Sequence, residues 1–203
     1  MLSLLMTQKE IIQYFPTSFY YKENILSDNI KQDLIDYILH IKEKTKKGGS
    51  NWLVDTYNSL GTLDLIKDKK FKFLNEKITK NVSLFNNELG SDYIYEKPSE
   101  GWFNIYEKND HQEFHTHPGF TFSAVYYLQV EKNIDKRSSI IFKHPYEDMK
   151  PLKGNVCFNQ LSYQRADIKP ENNSLLIFRS YLHHFVEKHK GDNPRITLAY
   201  NFD

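Results

Sequence analysis

Two histidines separated by one residue lie just past the midpoint of the chain, in the stretch Phe114-His115-Thr116-His117-Pro118-Gly119. In an extended segment, side chains at i and i+2 point to the same face and lie roughly 7 Å apart along the backbone. Two such imidazoles can approach one cation, and imidazole suits Zn, Fe, Cu or Ni. Pro118 and Gly119 end the segment, so we expect the pair at a rim where a metal stays accessible. Taken alone, the motif is also typical of surface histidines that bind nothing.

Two further histidines, His183 and His184, stand in a bend that follows the apolar strand Leu175–Phe178. Beyond them, Arg195 and Thr197 share one face of a later strand. A guanidinium placed two residues before a hydroxyl predicts a carboxylate receptor, because arginine offers a rigid fork of donors. An arginine that closes the sheet with a salt bridge is the alternative at this point.

Two amphipathic helices precede these motifs and must pack on an apolar surface. A Ser27-Asp28 cap begins the first helix, and Gly90 ends the second. Their apolar stripes, at helical spacing, are Ile30, Leu34, Tyr37, Ile38 and Ile41, and then Phe71, Leu74, Ile78, Val82, Phe85 and Leu89. The segment Ile11 to Tyr21, broken by Pro16, predicts a short edge strand. Residues Asn51 to Gly61 predict a structured loop.

From Tyr93 onward the sequence consists of short β-rich runs separated by turn residues. The candidate strands are Tyr93–Tyr95, Trp102–Tyr106, Phe120–Val130, Ser139–Phe142, Asn155–Phe158, Ser174–Phe178 and Arg195–Phe202. About eight strands with the helices segregated to one side predict an α+β protein whose sheet is a sandwich or a squat barrel. We expect one domain over 1–203, with an N-terminal strand and supporting helices in 1–92 and the β core in 93–203.

The composition excludes several classes of protein. Among 203 residues, 27 Lys and Arg face 26 Asp and Glu, which is not the basic signature of a nucleic-acid binder. No apolar run approaches the length of a membrane span. Cys157 is the only cysteine, so no intrachain disulfide can form, and a reducing, cytoplasmic location is expected. The aromatic content of 15% favours a β-rich core.

The order His-x-His, a long interval, His, and then Arg-x-Thr resembles the non-haem iron, 2-oxoglutarate-dependent oxygenases. Locally, Gln112–His117, Val125–Leu128 and Leu176–Val186 are similar to segments of prolyl hydroxylases. The resemblance covers Trp102 to Asp203. It implies a distorted double-stranded β-helix, the jelly-roll or cupin-like core of that superfamily, with helices packed on its outside.

The resemblance also implies a role for particular residues, with Fe(II) and 2-oxoglutarate as cofactors. The implied iron ligands are His115, His117 and His184. Arg195 and Thr197 would bind the far carboxylate of 2-oxoglutarate, and the strand tyrosines Tyr127 and Tyr106 would contact the same cosubstrate. Arg195 and Tyr127 are the predicted catalytic residues. Ordinary aromatic core is the alternative for both tyrosines.

One position departs from the usual pattern of this superfamily, in which the middle ligand is Asp or Glu. His117 stands there, as in a branch of predicted oxygenases that carry His-x-His-Pro and a similar Ser50-Asn51 loop. A frame-shifted motif is the alternative, in which His111 and Glu113 replace His115 and His117 as ligands. His183 is the rival of His184.

The sequence therefore predicts a dioxygenase that uses Fe(II) and 2-oxoglutarate to hydroxylate an unknown substrate. A three-histidine metal dioxygenase that does not use 2-oxoglutarate is one alternative. A non-catalytic β-helix domain that binds a ligand or a protein is a second, and a zinc hydrolase is a third. The expected partner is the small-molecule cosubstrate, with no nucleic acid and no membrane; homo-oligomerisation stays open.

Overall fold

The strands of this protein form two antiparallel sheets. The computed structural model describes residues 16–49, 53–146, 153–154 and 163–203. Six strands form the larger sheet: β1 (Phe19–Lys22), β2 (Tyr57–Asn58), β3 (Glu100–Tyr106), β5 (Phe122–Gln129), β8 (Ser174–Arg179) and β10 (Arg195–Phe202). Four form the smaller one: β4 (Gln112–His115), β6 (Ile140–Lys143), β7 (Arg165–Ile168) and β9 (His184–Val186). The strand orders are β1-β8-β5-β10-β3-β2 and β4-β9-β6-β7.

The two faces of the larger sheet have different chemistry, because side chains alternate along each strand. On β10, Ile196 and Leu198 pack into the apolar core beneath the helices, together with Phe103 of β3. The opposite face meets the smaller sheet, where Leu176 of β8 packs against Ile140 and other apolar residues. The larger sheet is therefore the middle layer of three.

Two helices, α1 (Asp28–Lys44) and α2 (Lys72–Glu88), cover the apolar face of the larger sheet. Ser27 occupies the N-cap position of α1 as predicted, but its side chain makes no capping hydrogen bond. Gly90 follows α2 with φ +92°, a left-handed conformation that a residue without Cβ adopts readily. Neither helix of the described ranges is long and apolar enough to cross a membrane.

The predicted α+β class is confirmed, and so are both helices and most strands. The strand predicted at Tyr93–Tyr95 is wrong: Tyr95 packs its ring against Phe122 and Phe202, and its backbone N–H donates to Ser83 Oγ at 3.0 Å rather than to a strand. The predicted loop Asn51 to Gly61 contains β2. Strands β4, β7 and β9 are additional to the candidate strands. The segment Asn155–Phe158, Cys157 and Ser50-Asn51 lie outside the described residues.

We predict that Ile38→Ala destabilises the protein by about 2–5 kcal/mol, because Ile38 is fully buried between α1 and the sheet and truncation leaves a cavity. The measurement is the free energy of unfolding in denaturant. Ile30→Ala, on the same helix but 37% exposed, is the matched control and should cost less than about 1 kcal/mol. Equal losses for the two variants would contradict this packing.

Candidate active site

The imidazole rings of three histidines converge beside the paired ends of β4 and β9 in the smaller sheet. His115 ends β4 and pairs with His184, which begins β9. His117 follows two residues later, and its backbone N–H donates to the carbonyl of Ser180 at 3.0 Å. One ligand atom from each of the three histidines lies within 4.8 Å of the others, in the only such group of His, Cys, Asp or Glu found among the described residues.

Backbone carbonyls fix the tautomers of two of these rings. His115 Nδ1 lies 2.6 Å from the carbonyl of Glu113, and His184 Nδ1 lies 2.9 Å from the carbonyl of Leu182. A carbonyl oxygen can only accept, so each Nδ1 carries the proton and donates it. The lone pair of each ring is then on Nε2, the arrangement typical of a histidine that coordinates a metal.

The three rings are held in the neutral form that a metal requires. Burial is the first cause: it lowers the pKa of His117 to about 3, with a further contribution from the neighbouring His115. Burial lowers the pKa of His184 well below its usual range, again aided by His115, and it also lowers the pKa of His115. At neutral pH all three imidazoles can donate lone pairs.

A bulge in β4 decides which residues of this strand face the cavity. The pairing with β9 is irregular between Gln112 and His115, so these two residues, three positions apart, both line the cavity. His111 and Glu113 do not belong to the imidazole group, and a carboxylate oxygen of Glu113 accepts from the backbone N–H of Leu53 at 3.4 Å. The frame-shifted pair therefore does not share the position of His115 and His117.

The two adjacent histidines of β9 and its preceding bend have different environments. His184 is 3% exposed and lies among the clustered imidazoles. His183 is exposed and stacks on Phe114 with ring centroids 5.2 Å apart, on the outer side of the smaller sheet. The geometry therefore brings His184, and not its rival, into the site.

A buried guanidinium lies in the same cavity. Arg195 is 2% exposed, and its Nη1 donates to the carbonyl of Ser138 at 2.9 Å. Its Nε has no hydrogen-bond partner, and no carboxylate lies within ion-pair distance, among the residues that the structure describes. The rings of Tyr106 and Tyr127 flank it, each with its centroid 5.3 Å from Cζ. The salt-bridge alternative finds no support in this part of the chain.

The two flanking tyrosines are neutral hydroxyl donors. Burial raises the pKa of Tyr127 and of Tyr106, although the nearby Arg195 cation partly opposes both shifts. The hydroxyl of Tyr127 is buried without a hydrogen-bond partner in the described ranges. Tyr127 also faces Thr197 across the β5–β10 pairing. These groups form a donor-rich end of the cavity opposite the imidazoles.

All seven residues predicted for the site line one cavity of about 40 Å³. Three polar or aromatic residues of its wall were not predicted: Trp102, Asn104 and Gln112. Alternation along β3 puts Trp102 and Asn104 on the face of Tyr106 and could have revealed them. Gln112 carries no such signal, because the bulge breaks the alternation.

A further histidine, His189, is buried as well. His189 is 2% exposed, and its Nε2 lies 2.7 Å from the carbonyl of Asn193. Its ring also lies 3.5 Å from the hydroxyl of Ser138, the residue whose carbonyl holds Arg195. His189 therefore packs the loop before β10 and lies outside the imidazole group.

The family comparison agrees with this geometry. A family model described as "Putative 2OG-Fe(II) oxygenase" matches residues 100–201, half of the chain. The chain therefore belongs to this family of 2-oxoglutarate- and iron-dependent oxygenases, and the predicted resemblance is confirmed. No curated protein matches the sequence.

Solved structures similar to this one support the double-stranded β-helix fold. A prolyl hydroxylase from Trichoplax adhaerens, in complex with a hypoxia-inducible-factor peptide fragment, superposes with a TM-score of 0.64 at 16% identity, covering 91% of this chain and 83% of its own. A prolyl-4-hydroxylase from Pseudomonas putida gives 0.64 at 12%, covering 92% of each chain. HygX from Streptomyces hygroscopicus, with nickel and 2-oxoglutarate bound, gives 0.61 at 11%, covering 91% and 82%. The predicted cofactors are thus those of the family.

We predict that His184→Ala abolishes stoichiometric metal binding, because it removes one of three converging lone pairs. The measurement is the Fe(II) content after anaerobic loading and desalting. His183→Ala, at the exposed neighbouring position, is the control and should retain the metal. Full iron content in His184→Ala would show that these imidazoles do not share an ion.

The metal-free protein should lose stability as the pH falls from about 6.5 towards 3. In this window the unfolded chain protonates His117, whose ordinary pKa is 6.5, whereas the folded protein, with a pKa of about 3, does not. The unfolded state then binds more protons, and acidification favours it. His117→Gln removes this contribution, so its denaturation midpoint should fall less between about pH 7 and about pH 5. Parallel pH profiles would rule this out.

Proposed function

We propose that this protein is an Fe(II)- and 2-oxoglutarate-dependent dioxygenase that hydroxylates a substrate bound at the mouth of the cavity. The observation that supports this proposal is that one cavity holds two groups of polar side chains. Three neutral imidazoles lie at one end, and at the other lies the buried guanidinium of Arg195, whose Nε has no partner among the described residues. An anion that also coordinates a metal could bind the ion held by the imidazoles and the guanidinium of Arg195 at the same time.

The imidazole group suits iron in its chemistry. Imidazole is a ligand for Fe, Zn, Cu and Ni alike, and the family membership favours iron among these. His115, His117 and His184 would hold the ion. Because all three are neutral, they leave the charge of the metal uncompensated, so the site as a whole favours an anionic ligand.

The donor-rich end suits a carboxylate. A buried arginine without a counter-charge is costly, and a carboxylate can accept two parallel hydrogen bonds from its fork. Nε of Arg195 and the hydroxyl of Tyr127 have no acceptors among the described residues. Thr197 and Tyr106 line the same end. In our proposal these four residues bind the far carboxylate of 2-oxoglutarate and orient its keto acid towards the imidazoles.

The chemistry itself would come from the bound iron and cosubstrate, which oxidise a C–H bond of the substrate with O₂. The protein supplies binding, orientation and exclusion of water from a cavity whose wall is largely apolar and aromatic. The similar solved structures contain bound molecules as different as a peptide fragment and hygromycin B. Fold and site do not select a substrate among such molecules.

We predict that Arg195→Ala weakens 2-oxoglutarate binding by at least about thirtyfold, since truncation removes one partner of a buried charge pair. Iron binding should be unchanged, because Arg195 lies outside the imidazole group. The measurement is an anaerobic titration of the Fe(II)-loaded protein with 2-oxoglutarate, following the visible absorption of the chelate. Arg165→Ala, at an exposed position of β7, is the control, with unaltered affinity expected.

The same titration tests the proposal itself. Chelate absorption that depends on Arg195, together with succinate formation under O₂, would support it. Iron binding without any chelate would favour a three-histidine dioxygenase that does not use 2-oxoglutarate, the alternative suggested by His117 in place of a carboxylate. A protein that retains no metal would instead be a binding domain built on the same fold.

A further inference from the structure

One polar side chain of the cavity has no part in the proposed function. Gln112, the first residue of β4, is 7% exposed and lines the cavity with the imidazoles and Arg195. Its Nε2 amide is fully buried and has no hydrogen-bond partner in the described part of the chain. A buried donor without an acceptor carries a desolvation penalty. We therefore expect a bound ligand to provide the acceptor.

The backbone directs this side chain into the cavity. In a regular strand Gln112 and His115, three residues apart, would face opposite sides of the sheet. The irregular pairing of β4 with β9 brings both to the cavity side. A bulge commonly re-aims a side chain beside a functional site. Here the bulge directs the side chain of Gln112 into the cavity.

The register places Gln112 on the Arg195 side of the imidazoles. His115 faces His184, whereas Gln112 faces Val186, two residues further along β9. Val186 pairs in turn with Ile140. Two residues before Ile140, the carbonyl of Ser138 holds the guanidinium of Arg195. By register, Gln112 therefore lies nearer than His115 to the segment that holds Arg195.

The buried polar groups of this cavity that lack a partner among the described residues can all donate a hydrogen bond. They are Nε of Arg195, the hydroxyl of Tyr127 and Nε2 of Gln112. No Asp or Glu is among the described residues that line the cavity. A carboxylate, which has two oxygens and about four lone-pair sites, is the small acceptor that matches several converging donors.

We propose that Gln112 is a further binding residue for the cosubstrate and donates from Nε2 to a carboxylate oxygen of 2-oxoglutarate. This inference rests on the proposed function. The amide adds a donor without adding charge, so it complements the guanidinium rather than competing with it for the anion. Its role is binding and orientation of the dicarboxylate, separate from metal coordination.

Two variants of Gln112 test this role in the anaerobic titration with Fe(II) and 2-oxoglutarate, checked by calorimetry. Gln112→Met keeps the length but removes the donor, and should weaken 2-oxoglutarate binding by about ten- to a hundredfold. Gln112→Glu keeps the shape but places a like charge beside the ligand, and should weaken it more. Iron affinity should be unchanged in Gln112→Met. Gln32→Met, at an exposed position of α1, is the control.

The outcomes separate this inference from the proposed function. Wild-type affinity for 2-oxoglutarate in Gln112→Met, with Arg195→Ala still defective, would overturn the role of Gln112 alone. Equal loss of iron and 2-oxoglutarate, with a lowered unfolding midpoint, would show a structural role and would also overturn it. A wild-type protein that binds iron but not 2-oxoglutarate would refute the proposed function, and this inference with it.

Discussion

The alternation of side chains along β10 is the constraint on which both the core and the site depend. This strand lies between β3 and β5 at the centre of the larger sheet. Ile196 and Leu198 enter the core beneath the helices, while Arg195 and Thr197 enter the cavity. A register slip of one residue would place a guanidinium in the apolar core. Packing beneath the helices therefore fixes the position of the anion-binding end.

Burial has opposite effects on the two ends of the cavity. For the imidazoles it favours the neutral form, as the lowered pKa of His117 and that of His184 indicate, and this form can coordinate a metal. Arg195 cannot escape by losing its proton. It stays charged inside the protein with one bond to the carbonyl of Ser138 and two flanking rings. The same desolvation therefore prepares one end for a cation and the other for an anion.

Much of this arrangement could be predicted from the sequence, because it follows regular periods. Helical spacing identified α1 and α2, and alternation identified the cavity face of β10. The bulge in β4 could not be predicted, since no residue type marks it, and Gln112 was missed for that reason. Tyr95 was misassigned because aromatic residues are common in strands. This residue instead packs its ring against a face of the larger sheet, and its backbone forms no strand hydrogen bonds.

The third histidine changes the charge balance of the site in the proposed assignment. With Fe(II), the cation of Arg195 and a dianionic cosubstrate, three neutral imidazoles leave the occupied site with one net positive charge. A carboxylate in place of His117 would cancel that charge. In a buried cavity such a difference is weakly screened. It strengthens the attraction for the dicarboxylate, and it opposes any further loss of electrons from the metal. The donors of Gln112 and Tyr127 then matter more, because they orient the anion without adding to the excess positive charge.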